Sequence, residues 1–468
     1  MEKIPDNFSG YLEVSDDTFV YNVANHIVTL LPAQSERKKI WESFNRINSR
    51  EKNIPEYFFG EDGNSKIAML HNSNFNTSVF GGNPSVQFAT PIIIKAAGNA
   101  FGFYNMLTQP WEKFHAITFY GGSINAICDP QMAVDRSDFD EYLNNDGARK
   151  IKVRPWDDYT RSVEFNLDGE KVKLTISVSQ TGVNNNTEHM DACSLGELNS
   201  FIRFAFEDSQ CFDKIGRYYT IVKSLIAILT KQNNIFFEVY LSQRNTQNQY
   251  FKTGYCKIYD DYENYCAKKW FNVIPIHAII DYIPKLIESI ANNEVDSLLV
   301  LLPESNREIN RISITNVQDL CTALEVAYSW SEKGKEKDIL INELKKKIKK
   351  TISKFAKDHD EIDVHKETTI SSAFQYLDYT LKQKILTMYN ENRDIVDKVI
   401  AKRTLPQCNE ANVASFVKLR NNKTHSGIVE WGNSANLYLV LLALLYVCLF
   451  RHINMPEEII ELVILQVF

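Results

Sequence analysis

Four familiar catalytic signatures are missing from this sequence. It contains no G-x-x-x-x-G-K-[ST], no G-x-G-x-x-G, no H-E-x-x-H and no G-x-S-x-G. The common phosphate-cradling loops, the zincin helix and the nucleophile elbow are therefore not available as readings. None of the eight cysteines forms a C-x-x-C pair, and no partnering histidine stands near Cys256 and Cys266. A zinc site needs such a cluster, so no metal and no cofactor is expected. An excess of positive charge is missing as well. The net charge of −7 excludes a generic polyanion binder, so any nucleic-acid contact must come from a local basic patch. The opening residues, MEKIPDNFSGYLEV, lack the apolar stretch of a signal peptide. Leu437 to Phe450 is an unbroken apolar run of 14 residues, short of the ~20 that span a bilayer. The expectation is a cytoplasmic protein with no membrane partner, with reduced and mostly buried thiols.

The 468 residues are 44% hydrophobic and 24% charged, an ordinary globular composition with length for two or three domains. Short runs rich in β-branched and aromatic residues fill the first part: FSGYLEV, Thr18 to Tyr21, SVQFATPIIIK and FHAITFYGGSINAI. In SVEFNLDGEKVKLTISVS, Asp168-Gly169 lies between two alternating runs, a strong hairpin signal. Beyond about residue 195 the pattern mixes. LGELNSFIRFAF and GRYYTIVKSLIAILTKQ have helical spacing, whereas NIFFEVYLSQ and YFKTGYCKIYD read as strands. VIPIHAIIDYIPKLIESIAN returns to helical spacing, with Pro275 and Pro284 as boundaries. After about 310 everything reads as helix. The predicted fold class is α+β: a β-rich N-terminal domain over 1–190, a mixed α/β continuation over 191–305, and an all-α bundle over 306–468.

Within that bundle VKLRNNKTHSG, residues 417–427, carries candidate chemistry. The preceding helix puts Val413, Phe416 and Val417 on one face, and Arg420 follows on it at helical spacing. A charge in an apolar seam needs a reason. Asn421 and Asn422 are poor helix formers and Gly427 is a natural stop, so the helix is expected to end between Arg420 and His425. That end would let the imidazole fold back towards the guanidinium. An imidazole can take or give a proton near neutral pH. A guanidinium is a permanently charged fork for phosphate oxygens. Together they suit attack of a 2′-hydroxyl on its neighbouring phosphate. On spacing alone the alternative stays open, with Arg420 as a helix ion pair and His425 as a C-terminal cap. His115 alternates within a strand and reads as structural, and His359 and His365 lie in an acidic link that reads as solvated loop. Residues 333–357 contain ten lysines, read either as a solvated helix face or as phosphate contacts through Lys345, Lys346, Lys349 and Lys350.

The string RNNKTH at 420–425 resembles the R-[polar]-x-x-x-H signature of the HEPN superfamily, placed at the end of a late helix with one long apolar helix after it. The layout of the chain resembles the ApeA-like anti-phage proteins. FSGYLEV and FHAITFYGGSINAICDP at 114–130 are similar to that family's N-terminal region. The helical likeness covers roughly 310–468, and the N-terminal one is looser. The resemblance implies a metal-independent endoribonuclease, dimeric through its helical domain. Arg420 and His425 would be catalytic, Asn421 would take the polar second position, and Glu325 would be a supporting polar residue. Lys423 would join the four lysines above in holding RNA. Antiviral defence by abortive infection is the implied role, with a phage-derived trigger acting at the N-terminal domain. The rival from another class is a non-catalytic protein whose bundle dimerises and whose β-rich part binds a partner. The apolar run 437–450 also suggests a dimer, because it offers more apolar surface than one amphipathic helix needs.

Overall fold

The computed structural model describes residues 4–14, 17–32, 56–63, 65–71, 75–80, 83–98, 107–135, 152–181, 197–260, 273–304, 308, 311–335, 339–358, 368–369, 379–425, 431–432 and 434–468, with the backbone alone at 14, 17, 32, 77–80, 83–84, 152–153, 180–181, 197, 335, 339–342 and 421–425. The fold is α+β, with a large antiparallel sheet in the N-terminal part and helices in the C-terminal part. The chain divides into two units. One contains 1–226 and 234–270, the other 227–233 and 271–468. The division by packing therefore falls near 226, 234 and 270, and not at 190 and 305. The strands of the mixed middle stretch hydrogen-bond into the N-terminal sheet, the helix Lys214–Thr230 packs on that sheet through Tyr218, and the helices after 275 belong with the C-terminal ones.

The β-rich unit contains β1 (Asn7–Val14), β2 (Asp17–Ala24), β3 (Ile27–Pro32), β4 (Tyr57–Asp62), β5 (Ser65–Leu70), β6 (Asn76–Phe80), β7 (Asn83–Ala89), β8 (Ile92–Ala96) and β9 (Lys113–Tyr120). It continues with a two-residue pair, β10 (Val134–Asp135) and β11 (Lys152–Val153), then β12 (Arg161–Leu167), β13 (Glu170–Thr181), β14 (Glu197–Cys211), β15 (Glu238–Arg244) and β16 (Tyr250–Ile258). Fourteen of these form one sheet in the order β12-β13-β14-β9-β15-β16-β8-β5-β4-β1-β2-β3-β7-β6. Every neighbouring pair in it is antiparallel. The hairpin at Asp168-Gly169 forms as expected, with Leu167 opposite Glu170 and φ of 51° and 85° at the two turn residues, the left-handed pair of a tight hairpin. Gly10 is set by close approach: a Cβ there would meet the Glu61 carbonyl at 1.9 Å.

Two segments depart from the expected elements. LGELNSFIRFAF was expected as a helix, but its residues 197–206 lie in β14, where Ile202, Phe204 and Phe206 are buried. The run alternates at period two, and partners on both sides, β13 and β9, complete its hydrogen bonding. In FHAITFYGGSINAI the last residues are not strand. After β9 the chain enters α1 (Gly122–Ile127), because Ile124 and Asn125 bond back to the Gly121 carbonyl. The helix α2 (Lys214–Thr230) covers the Phe204 and Phe206 side of the sheet, with Tyr218 ring centres 5.6 Å and 4.8 Å from theirs.

The helical unit contains α3 (Ile283–Ala291), α4 (Asp296–Leu301), α5 (Ile314–Ala327), α6 (Ile339–Lys357), α7 (Leu381–Glu391), α8 (Arg393–Arg403), α9 (Glu410–His425), α10 (Ser434–His452) and α11 (Glu457–Val467). Its core is α10, the helix of the apolar run. Residues 443–450 are all buried, and the Tyr446 hydroxyl donates to the Ile228 carbonyl at 3.0 Å. Among the described residues α10 is the one helix long and apolar enough to cross a membrane by length and composition, and most of it is buried inside the protein. The surplus apolar surface that suggested a dimer is thus largely used within this unit. Six cysteines are described, none of them in a disulfide; Cys211 is exposed and the other five are buried. His359 and His365 lie outside the described residues.

One ion pair here carries a pH dependence. His452 Nε2 and Glu294 Oε2 are 2.9 Å apart, and Trp330 stacks on the imidazole at 4.9 Å. The hydrogen bond to His452 holds the Glu294 carboxyl below its ordinary value of 4.5. Its contribution is present above that unfolded value and lost as pH falls through the lower folded one. Acid unfolding of Glu294→Gln should therefore have a shallower stability loss below about pH 4.5 than wild type. The difference should stay under about 1 kcal/mol, because the pair is partly exposed. Identical acid limbs would show that the contact contributes nothing.

Candidate functional site around Arg420

The site is built on α9 and α5. Asn409 starts α9 by accepting from the Asn412 amide at 3.0 Å through Oδ1, the ordinary work of an N-cap. Val413, Phe416 and Leu419 are buried, while Val417 is half-buried. Arg420 follows Val413 and Phe416 on their face at the next helical positions. On α5, Ser313 caps the first turn with a reciprocal bond to Asn316. Val317, Leu320, Cys321, Leu324 and Ala327 form the buried stripe, and Tyr328 is half-buried. Glu325 stands at the edge of that stripe.

The two edges meet. Arg420 Nη1 donates to Glu325 Oε1 at 3.2 Å, with the side chains 32% and 38% exposed. A guanidinium carries five N–H donors, and among the described residues this is the only polar contact it makes. Among the described residues Arg420 is therefore oriented from one side, with its side chain one-third exposed. Cys321 lies behind the pair. Burial pushes its thiol up to about 12; Arg420 pulls it back and Glu325 pushes it further. That thiol stays protonated and is not a nucleophile.

The helix does not stop where the sequence suggested. Helical backbone continues through His425, because nothing in Asn421 and Asn422 forces a break once the turn before them is packed. Gly427 lies outside the described residues, as do the side chains of Asn421, Lys423 and His425. On a continuous helix, five residues at ~100° each place Arg420 and His425 about 140° apart. The backbone thus brings Arg420 to Glu325 and sends the His425 position to another face of the same helix.

Among the described residues no ion pair or hydrogen bond joins Arg420 to α6, so the four lysines are not brought to this cluster. Lys346, Lys349 and Lys350 are exposed and Lys345 is half-buried. They lie on a polar arc, and Leu344, Ile348 and Phe355 make an apolar stripe on the other side at helical spacing. Among the described residues no three His, Cys, Asp or Glu side chains are grouped as a metal would need. His115 sits in β9 and accepts from the Arg244 amide at 3.3 Å through Nδ1, and burial lowers its pKa. Sequence reasoning passed over a second group of functional type, Arg203, Arg244 and Lys252 in the β-rich unit. Their only signal was a cation next to an aromatic in two separate strands, Arg203 before Phe204 and Lys252 after Phe251, with no such neighbour for Arg244, and pairing register alone joins the three.

Comparison of the chain with protein-family models, with curated proteins and with solved structures finds no match in any of the three.

Proposed function

We propose that the helical unit is a metal-independent endoribonuclease of the HEPN type, with Arg420 and His425 as its catalytic residues. The observation that carries this reading is the state of Arg420. It projects from an apolar helix face, among the described residues its one polar partner is Glu325, and its side chain is 32% exposed. A purely structural arginine in that seam would be expected to have its fork closed by a carboxylate.

In the proposed reaction the 2′-oxygen of a ribose attacks the adjacent phosphorus as its proton is removed. The bond from phosphorus to the 5′-oxygen breaks, and that oxygen receives a proton. The products are a 2′,3′-cyclic phosphate and a 5′-hydroxyl. His425 serves one or both proton transfers. Arg420 holds the non-bridging oxygens as charge develops on them. Glu325 aims the guanidinium, and Asn421 and Lys423 would meet the RNA from the same helix. The cellular role carried by the resemblance is cytoplasmic antiviral defence, in which RNA damage halts the infected cell and a phage-derived trigger acts on the β-rich unit. The dimer rests on the same resemblance.

A mechanism of this kind needs no divalent ion. Cleavage of total RNA should persist in EDTA and leave 2′,3′-cyclic phosphate ends, read by sequencing the RNA termini. Loss of cleavage in EDTA with recovery in magnesium would refute it. For α6 the expectation is phosphate contact. Replacing Lys345, Lys346, Lys349 and Lys350 by Glu should weaken RNA binding and flatten its salt dependence; unchanged affinity would assign these lysines to solubility.

One observation favours the rival reading, in which the bundle only dimerises and binds. The helical path through His425 separates its position from Arg420 on the helix circumference. A non-catalytic bundle would tolerate that separation, and RNA termini from cells expressing wild type and His425→Ala would then be identical.

A further inference from the structure

The face of the sheet opposite α2 carries three cations set among aromatic rings. Register puts them together. Arg203 in β14 is opposite Thr118 in β9, which is opposite Tyr240 in β15. Phe201 is opposite Tyr120, and Lys252 and Tyr250 of β16 are opposite Ser242 and Arg244. Residues two apart in a strand share a face, so these side chains all rise from one side. The Arg203 guanidinium lies 5.0 Å from the Phe201 ring centre and 5.6 Å from that of Tyr250. Arg244 is 6.0 Å from the same Tyr250 ring. Lys252 sits 4.1 Å from the Tyr240 ring centre and 5.5 Å from that of Tyr120.

Among the described residues none of the three forms a salt bridge. Arg203 donates to the Thr118 hydroxyl at 3.2 Å. Arg244 donates to the carbonyls of Phe206 and Glu207, and its Nε has no acceptor. Burial first, and then the charge of Arg203, lower the Lys252 pKa, while Glu238 raises it. So the cations feel one another, with one carboxylate close by against three positive charges. This stands out in a chain whose net charge is −7. Crowded like charges are relieved by an anion placed between them.

Aromatic surface is open beside the charges. Trp156 is 47% exposed and stacks on Phe201, with ring centres 6.1 Å apart and planes at 28°. Tyr250 is 37% exposed between the two guanidiniums. Phosphodiesters suit the cations, while exposed rings and guanidinium planes suit unpaired bases. A duplex would offer its phosphates and hide its bases. An acidic peptide would pair with the cations and leave the rings without a partner.

We propose that this sheet face is a docking platform for single-stranded nucleic acid, with Arg203, Arg244 and Lys252 on the phosphates and Trp156 and Tyr250 against the bases. It stands independently of the nuclease reading of the helical unit.

The test uses the full chain and a fluorescein-labelled, 2′-O-methylated oligouridylate, which has no 2′-hydroxyl to attack. Fluorescence anisotropy would be measured across a salt series for wild type, Arg203→Ala/Lys252→Ala and Trp156→Ala. The double variant should bind about tenfold more weakly, equivalent to ~1.4 kcal/mol, with a smaller salt slope. Trp156→Ala should weaken binding with the slope unchanged, because stacking releases no counterions. These substitutions lie in the β-rich unit and leave every residue of the helical unit in place, so failure of the nuclease reading would leave the result intact. Should the double variant not fold, Lys252→Gln supplies the test from the exposed end of a side chain. Absence of binding by wild type would overturn the proposal, as would unchanged affinity in a folded double or Lys252→Gln variant. Displacement of the probe by polyglutamate as effectively as by unlabelled oligouridylate would reduce the face to a general anion site. Saturation by uridine monophosphate at equal affinity would make it a mononucleotide site. Either result overturns the single-strand assignment.

Discussion

Arg420→Ala and His425→Ala should each lower RNA cleavage by a factor of ~10²–10⁴ while the protein stays folded. Removing the imidazole deletes the proton-transfer group. Removing the guanidinium deletes the planar fork that meets the phosphate oxygens, and Arg420→Lys should also be strongly impaired, because an ammonium lacks that geometry. The structure sharpens the contrast with a structural role. The Arg420–Glu325 pair is about one-third exposed on both sides, and pairs of that kind contribute ~0–1 kcal/mol. The melting temperature of Arg420→Ala should therefore move by no more than a few degrees. Cleavage assays and thermal melts on the same preparations decide the matter. A folded, fully active His425→Ala protein would end the assignment. So would an Arg420→Ala protein that melts early but retains full activity in its soluble fraction.

The second large effect concerns stability. Phe416→Ala should destabilise the helical unit by ~3–5 kcal/mol, the usual cost of truncating a fully buried phenylalanine. The side chain is 0% exposed, and it lies one turn before Arg420 on the same face of α9. For a unit of this size that corresponds to a fall in melting temperature of roughly 6–20 °C. Leu439→Ala, on α10 but 41% exposed, should cost far less and serves as the control. Two similar shifts would mean that α9 is not seated in the core as its burial implies.

These effects bear on how much of the protein was legible in its sequence. Long amphipathic segments read well. The region after 310 reads as helix, and in α5 Val317, Leu320, Cys321, Leu324 and Ala327 are buried at helical spacing with Tyr328 half-buried beside them. The Asp168-Gly169 turn was equally clear, since few residue pairs accept positive φ so readily. LGELNSFIRFAF was misread because its crowded apolar residues fit both periods, and only strand partners far away in sequence decide between them. The candidate site divides along the same line. Arg420 on its helix face followed from local spacing. Its partner Glu325 lies 95 positions earlier, and only the family resemblance pointed to it. The expected helix end before His425 failed because residue propensity is a weak prior once a helix is packed. The Arg203, Arg244 and Lys252 group was invisible, since it exists only through the register of β14, β15 and β16.

The seven residues 227–233 belong by packing to the helical unit, although they sit in the middle of the chain that builds the sheet. Ile228 and Leu229 are fully buried there. The Leu229 carbonyl accepts from the Ile274 amide at 2.9 Å, and the Asn233 amide reaches the Pro303 carbonyl at 2.7 Å. The Lys231 ammonium holds the Val467 carbonyl at 3.0 Å, next to the last residue. A gene fragment starting at 271 would encode a bundle with a slot in its core and no acceptor for the Tyr446 hydroxyl. The helical half is thus not a cassette that can be cut out and moved. During synthesis those seven residues leave the ribosome long before their partners exist, and they wait for the chain's final helix before their burial is complete.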